Sequence, residues 1–561
     1  MRFDVRRSLI GELCVLSGIF VLSGCEGEVV EPTPTLVEDP PADSISAGAS
    51  GQSQASGAGG RASSSSGAGG GGRSSTSGGT SPGTQTEREP PATSFGTFAR
   101  LTRAEYASTV RAAFGIDVDL SILPSDGRTG PFTSNATADS DPVHPYLLAA
   151  EQIAAAVVPE HVQACTGAAA GTCVRQNLGA PLATLYRRPL SDAELTGSAA
   201  FVQKMTAEGS SDVEATRALV TSALLSPDFL FRAALAAGDT TAHGRRVAER
   251  LSFALWDSPP DSELASALGS ASAGKEVAWA AHAGRLARDA RAIPVFARFL
   301  AQWLHLDLDL RLADAAFART PRYLEFMAFV EDALRNDVPV TELLTGKNGF
   351  VHRDNADAYG IDLASGDASV VPVTWPNDSA RRGVLGQDLL ADSTRHPDRS
   401  RRWIFRGRLV RSFLLCNPIP SPSAELIALS AEVKDRLTDP RCSSCHSLMD
   451  PIGKAFDGLD PDASGASGPA EVLAHPELEG SYADLPALLE AISGSRAFAE
   501  CFSKHWLSFF LDQSPTDVDG AWVAQLADAV QSGAGLRALA EKTTVTLETT
   551  TRAATPWCSG S

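Results

Sequence analysis

The residues best equipped for chemistry lie in one short stretch, "RCSSCHSLMDPIG" from Arg441 to Gly453, which holds Cys442, Cys445, His446 and Met449. Covalent haem attachment needs two thiols to form thioethers with the porphyrin vinyl groups. Two intervening residues set those thiols about one helical turn apart, and the next residue, His446, is then placed to supply the proximal iron ligand. A zinc site would need two further ligands at matching spacing, and the chain carries no second cysteine-rich knuckle. A redox dithiol would need a thioredoxin-like α/β setting, which the sequence lacks. The plain alternative is a disulfide between Cys442 and Cys445. With the histidine in register the motif is read as a tether for one covalent haem c, held by Cys442, Cys445 and His446, with His446 the metal ligand.

Met449 follows His446 by three residues, a span of at most about 10 Å, so its sulfur starts on the proximal side of any porphyrin and cannot wrap to the far face. It is expected to pack, with Asp450 and Pro451 turning the chain away. No methionine follows this motif, and Met205 and Met327 lie far upstream. The sixth iron position would fall to a histidine such as His475 or His505, to a lysine such as Lys454 despite the same limited reach, to a distant methionine, or stay open. A second histidine would suit low-potential electron transfer; an open position would permit peroxide or small-ligand chemistry.

Around this motif the chain is long and acidic, 561 residues with a formal net charge of -19, which argues against a nucleic-acid partner because phosphate backbones need a basic face. Arg2, Arg6 and Arg7 followed by "LCVLSGIFVLSGC" read as a lipoprotein signal over residues 1–24, cut before Cys25, the expected lipidation site. The apolar run is too short to span a membrane, and nothing else approaches the roughly 18 apolar residues a span needs. The body is therefore expected outside the cytoplasmic membrane, in the periplasm or on the cell surface, held to the membrane by lipid. Residues 25–95, rich in Gly, Ser and Pro, cannot bury enough apolar surface to offset the entropy of ordering and read as a disordered tether.

In an oxidising compartment the remaining cysteines should be occupied. Cys165 and Cys173 flank a small Ala- and Gly-rich loop and read as a local disulfide. Cys416, Cys501 and Cys558 allow three pairings with one thiol left over; Cys416 with Cys501 is the pairing expected here.

From Phe95 onward helical patterning dominates, broken by Pro and Gly. "LTRAEYASTVRAAFG" opens with a capping box, Thr102 with Glu105, and stops at Gly115; Ser191 with Glu194 starts another helix. No run alternates with period two for long, so the fold class is all-α, a multi-module helical body. The stretches containing "GRTGPFTSN", "ASVVPVTWP" and "GPAEVLAHPELEG" are read as loops or short hairpins between helical units.

The order of segments resembles the planctomycete-cytochrome-like multidomain proteins. The resemblance rests on "LTRAEYASTVRAAFG", "LYRRPLSDAEL" with "LLSPDFLFR", "RLSFALWDSPPDSEL" with "FLAQWLHLDL", "RRGVLGQDLLADSTRHPDRSRRWIFRGRLVRSFLLC" leading into "CSSCHSLMDPIGKAFDGLD", and "ADLPALLEAISGSRAFAECFSKHWLSFFL". It implies helical modules at residues 96–160, 161–238 and 243–374, a cytochrome c-like haem module at 378–462, and a C-terminal helical module at 468–550. The basic run from Arg395 to Arg411 could meet haem propionates or simply neutralise the acidic body. Arg406, beside Gly407, matches the module's pattern and is the residue expected at a propionate. The function implied is electron transfer or service to a redox enzyme, with a protein redox partner. The rivals are a non-redox surface scaffold with Cys442 and Cys445 bridged, and a haem peroxidase with an open sixth position.

Overall fold

The computed structural model describes residues 99–553 except 136–142, 233–239, 273–274, 307–315, 364–365, 367–368, 395, 397, 430–432, 434 and 461–467. The signal segment, Cys25, the Gly- and Ser-rich stretch and Cys558 lie outside the described residues.

The described chain is mostly helical, with four two-stranded antiparallel sheets. The helices of seven residues or more are α1 (Arg103–Phe114), α2 (Val143–Val157), α3 (Gly179–Leu185), α4 (Asp192–Ala207), α5 (Asp212–Leu224), α6 (Thr240–Trp256), α7 (Ser262–Ser272), α8 (Trp279–Arg288), α9 (Ala292–Trp303), α10 (Pro321–Arg335), α11 (Arg399–Leu409), α12 (Ser443–Lys454), α13 (Leu485–Gly494), α14 (Arg496–Leu511), α15 (Gly520–Gln531) and α16 (Leu536–Ala553). Local signals account for several boundaries. Thr102 accepts from the Glu105 amide while the Glu105 carboxylate accepts from the Thr102 amide, so the first orphan donors of α1 are satisfied reciprocally. Ser191 and Glu194 repeat the arrangement at α4, and Gly115 ends α1 in the left-handed region at φ 73°.

Strands were not legible from periodicity because the pairs are only two to five residues long. They are β1 (Ala99–Arg100) with β4 (Phe231–Arg232), β2 (Arg128–Thr129) with β3 (Phe132–Thr133), β5 (Asn348–His352) with β6 (Val370–Thr374), and β7 (Ala470–Val472) with β8 (Gly480–Tyr482). The all-α expectation is corrected to mostly helical with small sheets. The β2–β3 hairpin, β6 and β7 fall inside stretches read as loops or hairpins.

Apolar faces assemble into two main cores. One gathers Tyr106, Val110 and Phe114 from α1, Tyr146 and Ile153 from α2, and Leu219 from α5, and takes in Phe253 from α6. The other runs from α6 through α16 and includes Trp279, Trp303, Phe456, Phe502 and Trp506. Buried ion pairs stitch the two together. Arg232 on β4 reaches Glu105 of α1 at 3.0 Å and also pairs with Asp512, just beyond α14. Arg187 reaches Glu249 of α6 at 3.4 Å and donates to the Asp228, Phe229 and Phe231 carbonyls. Such charges are tolerated inside only because each is paired and hydrogen-bonded.

The segment carrying the cysteine motif is held by a helix crossing. α11 and α12 approach so closely that a Cβ on Gly407 would strike the Met449 backbone and one on Gly453 would strike the Trp403 backbone. Backbone cannot rotate out of the way as a side chain can. Gly407→Ala and Gly453→Ala are each expected to destabilise the chain by about 1–3 kcal/mol or more, read as a lowered Tm; Gly494→Ala, where a Cβ meets nothing within 4 Å, is the control expected to leave Tm nearly unchanged.

Candidate haem-attachment site

Cys442 is the residue before the first turn of α12, and Cys445 and His446 sit in that turn. The two thiols are unbridged, whereas Cys165 closes on Cys173 and Cys416 on Cys501. A short β7–β8 hairpin and the crossing helix α11 pack against α12, which fixes where its N-terminal turn sits.

The imidazole of His446 is oriented by the protein. Its Nδ1 lies 3.0 Å from Oδ1 of Asp450, one turn along the same helix. A carboxylate accepts, so Nδ1 carries the hydrogen and Nε2 keeps its lone pair for a metal. Asp450 is itself buried and its other oxygen lies 3.4 Å from Arg436 Nη2, which also donates to the Ser400 carbonyl. Metal-bound histidines are commonly held by a carboxylate in this way. Asp450 was missed in the sequence because Asp450-Pro451 reads as a turn. The structure corrects that reading: α12 runs through Pro451 to Lys454, although Pro451 has no N–H to donate to the Ser447 carbonyl. The i, i+4 spacing of His446 and Asp450 was the available signal.

Two thiols one turn apart beside an imidazole with a free Nε2 match the donor set of a covalent haem. The same part of the chain carries most of the large apolar side chains left exposed among the described residues: Phe405, Leu426, Ile427 and Leu437. By the chemistry of its donor set, two unbridged thiols and an oriented imidazole, the site fits the group.

The other predicted residues are placed as follows. Met449 is buried at the crossing, and the Lys454 ammonium sits over the Trp403 ring at 5.8 Å. Arg406 is fully buried. Its guanidinium makes a bidentate pair with Asp460, at 2.5 and 3.1 Å, and donates to Thr394 and the Phe456 carbonyl. Arg402 joins the same carboxylate at 3.0 Å. Arg411 donates to the Leu473 and Ala474 carbonyls, and Arg401 and Arg408 lie on the surface. The inward members of the basic run thus tie α11 to the segments after the motif. Asp460, 54 residues beyond Arg406, gave no signal in the sequence. His475 is buried and its Nδ1 accepts from the Glu477 amide at 3.3 Å. His505 lies against the Cys416–Cys501 disulfide, its Nε2 3.8 Å from Cys416 Sγ.

The chain is a mostly helical, multi-module protein, and its module types are cytochrome-like. Four family models match it, each described as a protein of unknown function: PSD3 (DUF1587) over residues 99–159, PSD5 (DUF1595) over 173–233, PSD4 (DUF1592) over 243–361 and PSCyt3 (DUF1588) over 381–466, the last spanning the cysteine motif. The chain belongs to the planctomycete-cytochrome-like multidomain family. No curated protein and no solved structure matches it.

Burial, with Lys504 and His305 nearby, holds the His505 imidazole down to about 4. An unfolded histidine titrates near ~6.5, so between these values the unfolded chain binds more protons and stability falls as pH drops through the window, by about 3 kcal/mol in all. His505→Gln should flatten the decline in Tm between pH 6.5 and pH 4; an unchanged slope would count against this account of the histidine.

Proposed function

We propose that the protein is an extracytoplasmic, lipid-anchored c-type haem protein that carries electrons to or from a redox partner or enzyme. The observation that carries the reading is the first turn of α12: two unbridged thiols, and an imidazole whose Nδ1 is committed to Asp450. Cys442 and Cys445 would hold the haem by thioethers and His446 would ligate iron through Nε2. When bound, such a haem supplies an iron that cycles between ferrous and ferric states. Asp450 holds the ring's orientation and strengthens it as a ligand.

Location follows from the signal-like start and Cys25. Among the described residues no helix is long and apolar enough to cross a membrane, which is compatible with attachment by lipid. A covalent tether makes chemical sense there, since loose haem would be lost by diffusion.

Produced with haem-maturation machinery, the exported protein should be pink and keep its haem stain through denaturing electrophoresis. Cys445→Ala should abolish that stain, and a colourless wild type with Cys442 and Cys445 oxidised together would instead mark a non-redox scaffold. Asp450→Asn should keep the stain but raise the reduction potential, because a neutral partner makes His446 a weaker donor to iron; an unaltered potential would remove Asp450 from this role.

A further inference from the structure

A second constellation lies at the junction of α11 and α14. Cys501 and His505 are spaced i, i+4 on α14 and so share one face of that helix. Cys416, held in the left-handed region at φ 47° just after the helical turn Val410–Leu414, is brought onto that face by packing. The two sulfurs and a His505 ring nitrogen all lie within 4.8 Å of one another.

Cys416 and Cys501 form a disulfide here, and a disulfide alone would account for the two sulfurs. It does not account for the histidine. His505 is 6 % exposed, its Nδ1 has no hydrogen-bond partner among the described residues, and its Nε2 lies 3.8 Å from Cys416 Sγ. Phe132 stands edge-on to the ring at 6.1 Å. A buried imidazole nitrogen without a partner, beside two sulfurs, needs an explanation, and a bound metal supplies one.

We propose that Cys416, Cys501 and His505 form a disulfide-gated zinc site, closed while the bridge is intact and opened when a dithiol reduces it. In that reduction the S–S bond breaks, two electrons and two protons pass to Cys416 and Cys501, and the dithiol's sulfurs join as a disulfide. Zinc then binds both sulfurs, the His505 nitrogen and one water molecule, and the two thiol protons pass to solvent. Tetrahedral zinc, with bonds of about 2.3 Å to sulfur and about 2.1 Å to nitrogen, separates a sulfur from a nitrogen by roughly 3.6 Å. Cys416 Sγ and His505 Nε2 already stand at nearly that spacing, at 3.8 Å, whereas the two sulfurs must part.

The test uses the full chain. It is reduced with a trialkylphosphine, which takes its oxygen from water as the bridge accepts two protons, and is then alkylated with iodoacetamide with or without added zinc. Peptide mass spectrometry reads each cysteine separately. Zinc should slow alkylation of Cys416 and Cys501 at least tenfold while leaving Cys165 and Cys173 unaffected; if buried Cys501 reacts too slowly to follow, Cys416 decides. His505→Gln should lose the protection yet still form the Cys416–Cys501 bridge when oxidised, which shows that the variant folds. Unchanged alkylation rates with zinc in the wild type, or equal protection in His505→Gln, would overturn the proposal.

Discussion

The placement of the cysteine motif depends on how closely two backbones can approach. α11 and α12 meet at Gly407 and Gly453, where each glycine lies against the other helix's main chain. The absence of two side chains lets the helices touch, and touching helices leave little freedom for the turn that carries Cys442, Cys445 and His446. The crossing is then locked electrostatically. Arg402 and Arg406 on α11 converge on the buried Asp460, which follows α12, and Trp403 donates to Asp457 at 2.8 Å. Losing one partner of a buried pair of this kind costs about 3–5 kcal/mol, so these residues hold α11 and α12 in one arrangement.

The same economy of paired charge recurs at the larger scale. The first core could close by itself around α1, α2 and α5, but Phe253 of α6 enters it and Arg187 reaches across to Glu249 of α6. Arg232 then spans from Glu105 to Asp512, residues far apart in the chain. Consecutive family modules are thereby joined into one body. The Cys416–Cys501 bridge adds a covalent link between the segment after α11 and α14.

Local order determined much that could be read directly. A capping box needs residues only three apart, so the starts of α1 and α4 were legible, as was the Cys165–Cys173 loop closure across eight residues. The grouping of two thiols and an imidazole is likewise contiguous. Where an immediate neighbour carried two meanings, the reading went astray: Pro451 suggested a turn, but the helix absorbs it, and Asp450 becomes the partner of His446. The short strands were legible only as loops or hairpins in some stretches and not at all in others, because two to five residues are too few for alternation to rise above chance.

By itself, then, the sequence determined the helical segments, their order and the grouping of Cys442, Cys445 and His446, because each depends on residues within a few positions of one another. Only the tertiary structure decided what those groups face. Asp460 claims Arg406 from 54 residues away, His505 turns toward Cys416 across 89, and Gly407 matters only because Met449 arrives beside it. Nothing in the chemistry of an arginine, a histidine or a glycine names its distant neighbour; that choice is made when the apolar faces of the helices bury against one another and the polar groups carried along must find partners or remain unsatisfied.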